Sequence, residues 1–314
     1  MLNRRHIRVK AMQTLYAFRG SESDDFSKDQ KFLLFSIDNM YNLYLLLLSL
    51  LIEVQKRAED DLKKKQNKHL ATLEDKDPNR KFVNNQVLHL IKESVPLKNA
   101  LENYKIDYWD FDSEYVEIIF KAIVSSDLYA EYMETRVSDF KEDKNFIVDV
   151  FKDIIAPNDK LYDYIEDKNI TWLDDLPTVN TTILKLLRKV KTTGSEGHFV
   201  PRLYKDEDDK QFAIDIFRKT LLKSSVLNKE IELKTQNWDS DRIADVDFVL
   251  LQMAICELQH FPSIPIKVTM NEYLEIAKEY STPKSSIFIN GILDKLVKEY
   301  QAEGKLNKVG RGLM

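Results

Sequence analysis

The chain has 314 residues, 43% of them hydrophobic, with 47 Lys plus Arg against 52 Asp plus Glu and a formal net charge of −5, enough apolar material for one large or two medium cores. Only 7 Gly and 8 Pro occur, which nearly excludes the Gly-rich phosphate cradles of Rossmann and P-loop proteins. A single cysteine, Cys256, excludes an intramolecular disulfide framework and a Cys-based zinc cluster and fits a reducing cytoplasm. The basic start has no apolar core of a secretory signal behind it.

In chain order, Ile7, Val9, Met12, Leu15, Tyr16 and Phe18 follow helical spacing up to Gly20 and Ser21, predicting a first helix. On it Arg4, Arg8 and Lys10 lie to one side, leaving Met12, Leu15 and Phe18 to pack, so one element can dock and still present cations. Residues 24–30 read as an acidic linker. A Gly- and Pro-free stretch from Lys31 to about Lys65 predicts a long helix that leaves a core for solvent. Its most apolar part, Leu43 to Ile52, is half the length of a bilayer span, which predicts a buried core helix or the seam of a homodimer and no membrane partner. Residues 63–79 read as a loop.

Further helices are predicted at about 80–94, 97–105, 113–136, 138–155, 159–167 and 178–191, punctuated by Pro78, Pro96, Pro157 and Pro177. Residues 192–208 hold two glycines, a proline and an acidic run and form the best internal boundary. Helices at 209–234, 241–260, 268–280 and 284–300 follow. No alternating strand pattern persists, so the fold class is all-α.

An ungapped offset of 66 residues pairs 144–190 with 210–256 and gives 11 identities in 47 positions, among them Phe146 with Phe212, Asp149 with Asp215, Phe151 with Phe217, Leu161 with Leu227, Glu166 with Glu232, Trp172 with Trp238 and Asp175 with Asp241. Two similar helical hairpins with a Trp at the bend arise from duplication or from shared helix patterning.

Charge is unevenly placed. Residues 1–20 carry Arg4, Arg5, Arg8, Lys10 and Arg19 without an acid, and 305–314 carry Lys305, Lys308 and Arg311 without one; the remaining 39 basic residues face 52 acidic ones, a body charge of −13. Clustered cations on an acidic body suit a selective polyanion partner, although short basic termini are also commonly just solvated. Catalysis has little support. His6, His69, His89, His198 and His260 show no paired metal spacing, Cys256 sits in an apolar run, and no G-x-S-x-G occurs. Neither a metal nor a cofactor is expected.

The C-terminal third carries Ala254-Ile255-Cys256-Glu257-Leu258, Ile264-Pro265-Ile266-Lys267-Val268-Thr269-Met270-Asn271-Glu272, Glu275-Ile276-Ala277-Lys278-Glu279-Tyr280 and Ser285-Ser286-Ile287-Phe288-Ile289-Asn290-Gly291-Ile292-Leu293-Asp294-Lys295. In order and spacing this resembles the NusB family of transcription antitermination factors, and Arg4-Arg5-His6-Ile7-Arg8-Val9-Lys10-Ala11-Met12-Gln13-Thr14-Leu15-Tyr16 resembles that family's arginine-rich first helix. The resemblance covers roughly 3–19 and 209–300. It divides the chain into a first helix (1–19), an enlarged central helical region (20–208), a C-terminal subdomain (209–302) and a basic tail (303–314). The fold it implies is a NusB-like helical bundle of two subdomains with extra central helices.

The resemblance implies a cytoplasmic, non-enzymatic factor that binds boxA-type single-stranded RNA with NusE, a small-subunit ribosomal protein, in the transcription elongation complex and promotes ribosomal RNA transcription. The alternative is a helical scaffold of the same fold that binds NusE or another partner without RNA. By this account Arg4, Arg5 and Arg8 position the RNA backbone, with His6 and Lys10 as weaker candidates. Gln13, Tyr16, Ser285 and Ser286 are candidates for base or sugar contacts, with packing and surface roles the alternative for Tyr16 and Gln13, and Phe288 is a candidate for stacking or core. Asp245 and Asp247 are candidates for docking the basic partner or, equally, a solvated helix start. Asn271 and Glu272 read as first-turn caps, and Gly291 reads more readily as a close helix contact than as a nucleotide contact.

Overall fold

A computed structural model describes residues 1–21, 25–70, 72–193, 196–235 and 243–309. Side-chain caps decide where many of its helices begin. The Asn3 side chain accepts the His6 N–H at 2.8 Å at the start of α1 (Arg4–Gly20). Asp25 Oδ1 accepts the N–H groups of Ser27 and Lys28, both at 3.1 Å, so α2 (Phe26–Gln66) starts inside the segment expected as an acidic linker. A capping box between Thr72 and Asp75 starts the single turn α3 (Leu73–Lys76) within the expected loop.

Then come α4 (Gln86–Lys92), α5 (Val95–Asn103), the short α6 (Tyr108–Phe111), α7 (Ser113–Val124) and α8 (Asp127–Tyr132). The single helix expected over 113–136 is two, because the Ser126 hydroxyl accepts the Tyr129 N–H and starts α8 afresh. α9 (Phe140–Asp149) runs into a π-helical turn at Val150–Ile155, followed by α10 (Asp159–Lys168), a 3-10 turn at Ile170–Trp172 and α11 (Leu176–Lys189). The expected 209–234 helix is likewise two, α12 (Glu207–Leu222) and α13 (Ser224–Thr235). α14 (Asp245–His260), α15 (Ile266–Tyr280) and α16 (Ser285–Ala302) complete the chain. The fold is all-α, with no strand among the described residues.

The chain forms two compact units: Met1 with Asp38–Leu203, and Leu2–Ile37 with the chain from Tyr204 onward. In the first, the Leu43-to-Ile52 stretch of α2 is buried on every side. Trp109 Nε1 donates to Leu46 O and Ser49 Oγ, both at 3.1 Å, Trp172 Nε1 to Asn39 O at 2.9 Å, Tyr44 OH to Phe199 O at 2.8 Å and Gln55 Nε2 to Val83 O at 2.7 Å. The apolar part of α2 is longer than ten residues. A window of 18 reaches a mean hydropathy of 1.4, enough by length and composition to cross a membrane, but 83% of it is buried within the protein, as in a core helix.

In the second unit α14 is the central helix, buried from Val249 to Leu258, with α1, α12, α13, α15 and α16 packed against it. At the 66-residue offset, Phe146 and Phe212, Phe151 and Phe217, Leu161 and Leu227, Ile165 and Ile231, and Ile183 and Val249 are all buried within their own units. Trp238 and Asp241 lie outside the described residues. The tail folds back on this unit: Val309 N donates to Pro262 O at 3.0 Å, and Lys308 Nζ donates to Glu257 O at 3.2 Å and Phe261 O at 3.0 Å. Those carbonyls close α14, so Lys308 acts there as a C-terminal cap. Arg311 lies outside the described residues.

Candidate functional site

Three arginines one turn or less apart at the start of α1 need counter-charges, because α1 contains no acid, and three other helices supply them. Arg8 Nε and Nη2 donate to Glu257 Oε2 and Oε1 of α14, each at 2.8 Å, with side-chain exposures of 2% and 0%. The same carboxylate accepts Thr269 Oγ1 at 2.8 Å and Tyr273 OH at 3.2 Å from α15. The guanidinium carbon lies 5.0 Å from the Phe212 ring centre and 5.7 Å from that of Tyr273. Burial alone pulls the Arg8 pKa down, but the hydrogen bonds and charge of Glu257 outweigh it and hold the group above an ordinary arginine. Burial, then the Glu257 charge, pushes the Tyr273 hydroxyl well above the usual tyrosine range.

Arg5 grips Glu272 of α15 with two bonds of 2.9 Å; these hydrogen bonds, against some desolvation, raise its pKa. Arg4 Nε donates to Asp209 Oδ1 of α12 at 2.7 Å and stacks 5.1 Å from Phe212. Unlike Arg8, Arg4 and Arg5 keep 37% and 41% of their side chains exposed. They line an open groove of about 450 Å³ with Asn3, Arg8, Ser263, Ile264, Pro265, Val268 and Glu272.

The cationic face expected of α1 is therefore corrected. His6, Arg8 and Lys10 are buried, and Arg8 is an internal tie. Tyr16 is 47% exposed and Gln13 half-buried farther along α1. Ser285 and Asp247, given separate roles from sequence, are bonded to each other. Ser285 Oγ donates to Asp247 Oδ2 and Ser281 Oγ to Asp247 Oδ1, both at 2.6 Å, and both Ser285 and Asp247 are buried. Ser286 and Phe288 are half-buried. Asp245 stays exposed and pairs with Arg19 at 3.1 Å.

Two further expectations change. α15 begins at Ile266 with Pro265 as its N-cap, so Glu272 lies beyond the first turn and clamps Arg5, while Asn271 is exposed. A Cβ at Gly291 would meet nothing within 4 Å, so a close helix contact does not explain that glycine. Sequence reasoning overlooked the acids Asp209, Glu257 and Glu272 as a set. The signal was present in the acid-free first 20 residues, whose cations must find partners elsewhere if the helix is to pack.

A sequence profile of the NusB family matches residues 181–298, from α11 to α16. The "Transcription antitermination protein NusB" of Salinibacter ruber is 43% identical over 119 residues, covering 37% of this chain and 74% of that protein. The protein of the same name from Chloroherpeton thalassium is 36% identical over 129 residues, covering 41% of this chain and 61% of that protein. A solved structure of T. maritima NusB is 31% identical with a TM-score of 0.31, covering 40% of this chain and 87% of that one.

Proposed function

The chain belongs to the NusB family of transcription antitermination proteins, and from that we propose that it binds boxA-type single-stranded RNA together with NusE, within the elongation complex in the cytoplasm, to promote ribosomal RNA transcription. It acts by binding, without catalysis. The observation that carries the reading is the groove at the start of α1, where Arg4 and Arg5 are held in fixed positions yet half-exposed. A guanidinium has five N–H donors in a planar fork. Arg4 commits Nε and Arg5 commits Nε and Nη2 to carboxylates, which leaves each an outward edge for a phosphate oxygen.

In this reading Arg8, His6 and Lys10 hold α1 in place, Gln13 and Tyr16 reach a base or sugar farther along the helix, and Ser286 and Phe288 offer a second contact. Ser285 orders the start of α16 through Asp247. Asp245, already beside Arg19, is the exposed acid that a basic partner meets. A competing reading, a scaffold that binds NusE without RNA, is favoured by the charge balance: each groove arginine already has its own carboxylate. Replacing Arg4 and Arg5 by Ala separates the two. Loss of RNA binding with NusE binding intact supports the first, and unchanged RNA binding removes the groove from the account.

A further inference from the structure

The first turns of α2 are amphipathic in an unusual way. At about 100° per residue, the buried Leu33 and Ile37 define the inward side of 26–37. The opposite arc holds Lys28, Lys31, Phe32 and Phe35, all exposed, with the two phenylalanine residues at 47% and 58% exposure. The acid of this stretch, Asp29, falls outside that arc, and Asp25 is occupied in capping the helix. The segment's own packing is met by Phe26, 5.8 Å from Phe217 of α12, so the outward rings are not needed to hold the helix in its unit.

We infer that Lys28, Lys31, Phe32 and Phe35 form a stacking platform for unpaired nucleotides of a single-stranded RNA. Flat apolar rings interleaved with ammonium groups match a ligand that alternates base faces with phosphates, and such stacking tolerates any base. The helix that carries the platform follows the groove helix directly in the chain. α1 ends at Gly20 and α2 begins at Phe26, a connection that spans at most about 20 Å. The inference rests on the RNA-binding reading for its ligand class, but it concerns different residues and a sequence-independent contact.

The test is fluorescence anisotropy of the full chain with a labelled 20-nucleotide oligouridine, which contains no boxA, at low salt. Phe32→Ala with Phe35→Ala is expected to weaken binding at least about tenfold, and Phe32→Leu with Phe35→Leu to weaken it similarly, since Leu keeps the apolar surface but cannot stack. Lys28→Ala with Lys31→Ala is expected to lower the slope of log K against log salt by about 1.4. No binding of the oligouridine by the parent chain, or full affinity in either phenylalanine variant, overturns the inference. So does phenylalanine-dependent binding to vesicles of anionic phospholipid in place of RNA, which identifies a membrane-surface helix. A boxA RNA assayed on Arg4→Ala with Arg5→Ala reports on the groove alone, so failure of one reading is seen apart from failure of the other.

Discussion

Arg8 of α1 and Glu257 of α14 face each other across two parallel hydrogen bonds of 2.8 Å, both side chains almost wholly buried. Thr269 and Tyr273 occupy further positions on the same carboxylate, so the pair ties α1, α14 and α15 together beneath the groove that Arg4 and Arg5 line. Removing one partner leaves a buried charge uncompensated, which costs about 3–5 kcal/mol. Arg8→Ala and Glu257→Ala are each expected to lose that much in urea unfolding, and the double variant less than the sum. Independent, additive losses would contradict the tie.

Arg4→Ala and Arg5→Ala are expected to behave differently from Arg8→Ala. Their ion pairs are more than a third exposed on the arginine side, so each change costs at most about 1 kcal/mol of stability. Each lost phosphate contact lowers the salt slope of single-stranded RNA binding by about 0.7. Unfolding midpoints near that of the parent, with a flatter salt dependence, is the expected outcome.

Ser285 and Ser286 offer a contrast between neighbours. Ser285→Ala leaves a buried Asp247 oxygen short of a donor, an expected loss of about 1–3 kcal/mol, with RNA affinity little changed once the folded fraction is accounted for. Ser286→Ala is expected to leave stability within about 0.5 kcal/mol and to weaken RNA binding. Denaturation and anisotropy on the same two variants check this, and the reverse pattern would exchange their roles.

Burial pushes the Cys256 thiol up to about 11, and burial followed by the nearby Tyr104 pushes the Tyr41 hydroxyl up to about 12. Raised values mean that the folded chain holds these protons more tightly than the unfolded one, so this contribution is complete below the unfolded values near 9 and 10 and is lost as pH climbs toward 11 and 12. Stability is expected to fall through that alkaline window. Cys256, buried and protonated, is expected to resist a thiol reagent at pH 8 until the chain is unfolded; rapid labelling of the native protein would contradict its placement in α14.

The helical class and the arginine-rich start were legible in the sequence because both rest on local signals: 3.6-residue periodicity, the scarcity of glycine, and an acid-free first helix. Helix breaks at Ser126 and Lys223 were not, since apolar periodicity continues across them and only the cap or the packing interrupts it. The fates of Arg8 and Ser285 were equally hidden. A cation on a helix reads as solvent-facing until its distant carboxylate is located, and Glu257 lies 249 residues from Arg8. Asp247 and Ser285, 38 residues apart, likewise looked like two surface sites and are one internal contact.

The most direct test of the central claim is anisotropy of a labelled boxA RNA against a scrambled RNA, with and without the cognate NusE, over a salt series. The account predicts sequence-selective binding that NusE tightens and that Arg4→Ala with Arg5→Ala weakens. If neither RNA binds even with NusE present, the family fold is here a protein-binding scaffold and the RNA reading of the groove is contradicted.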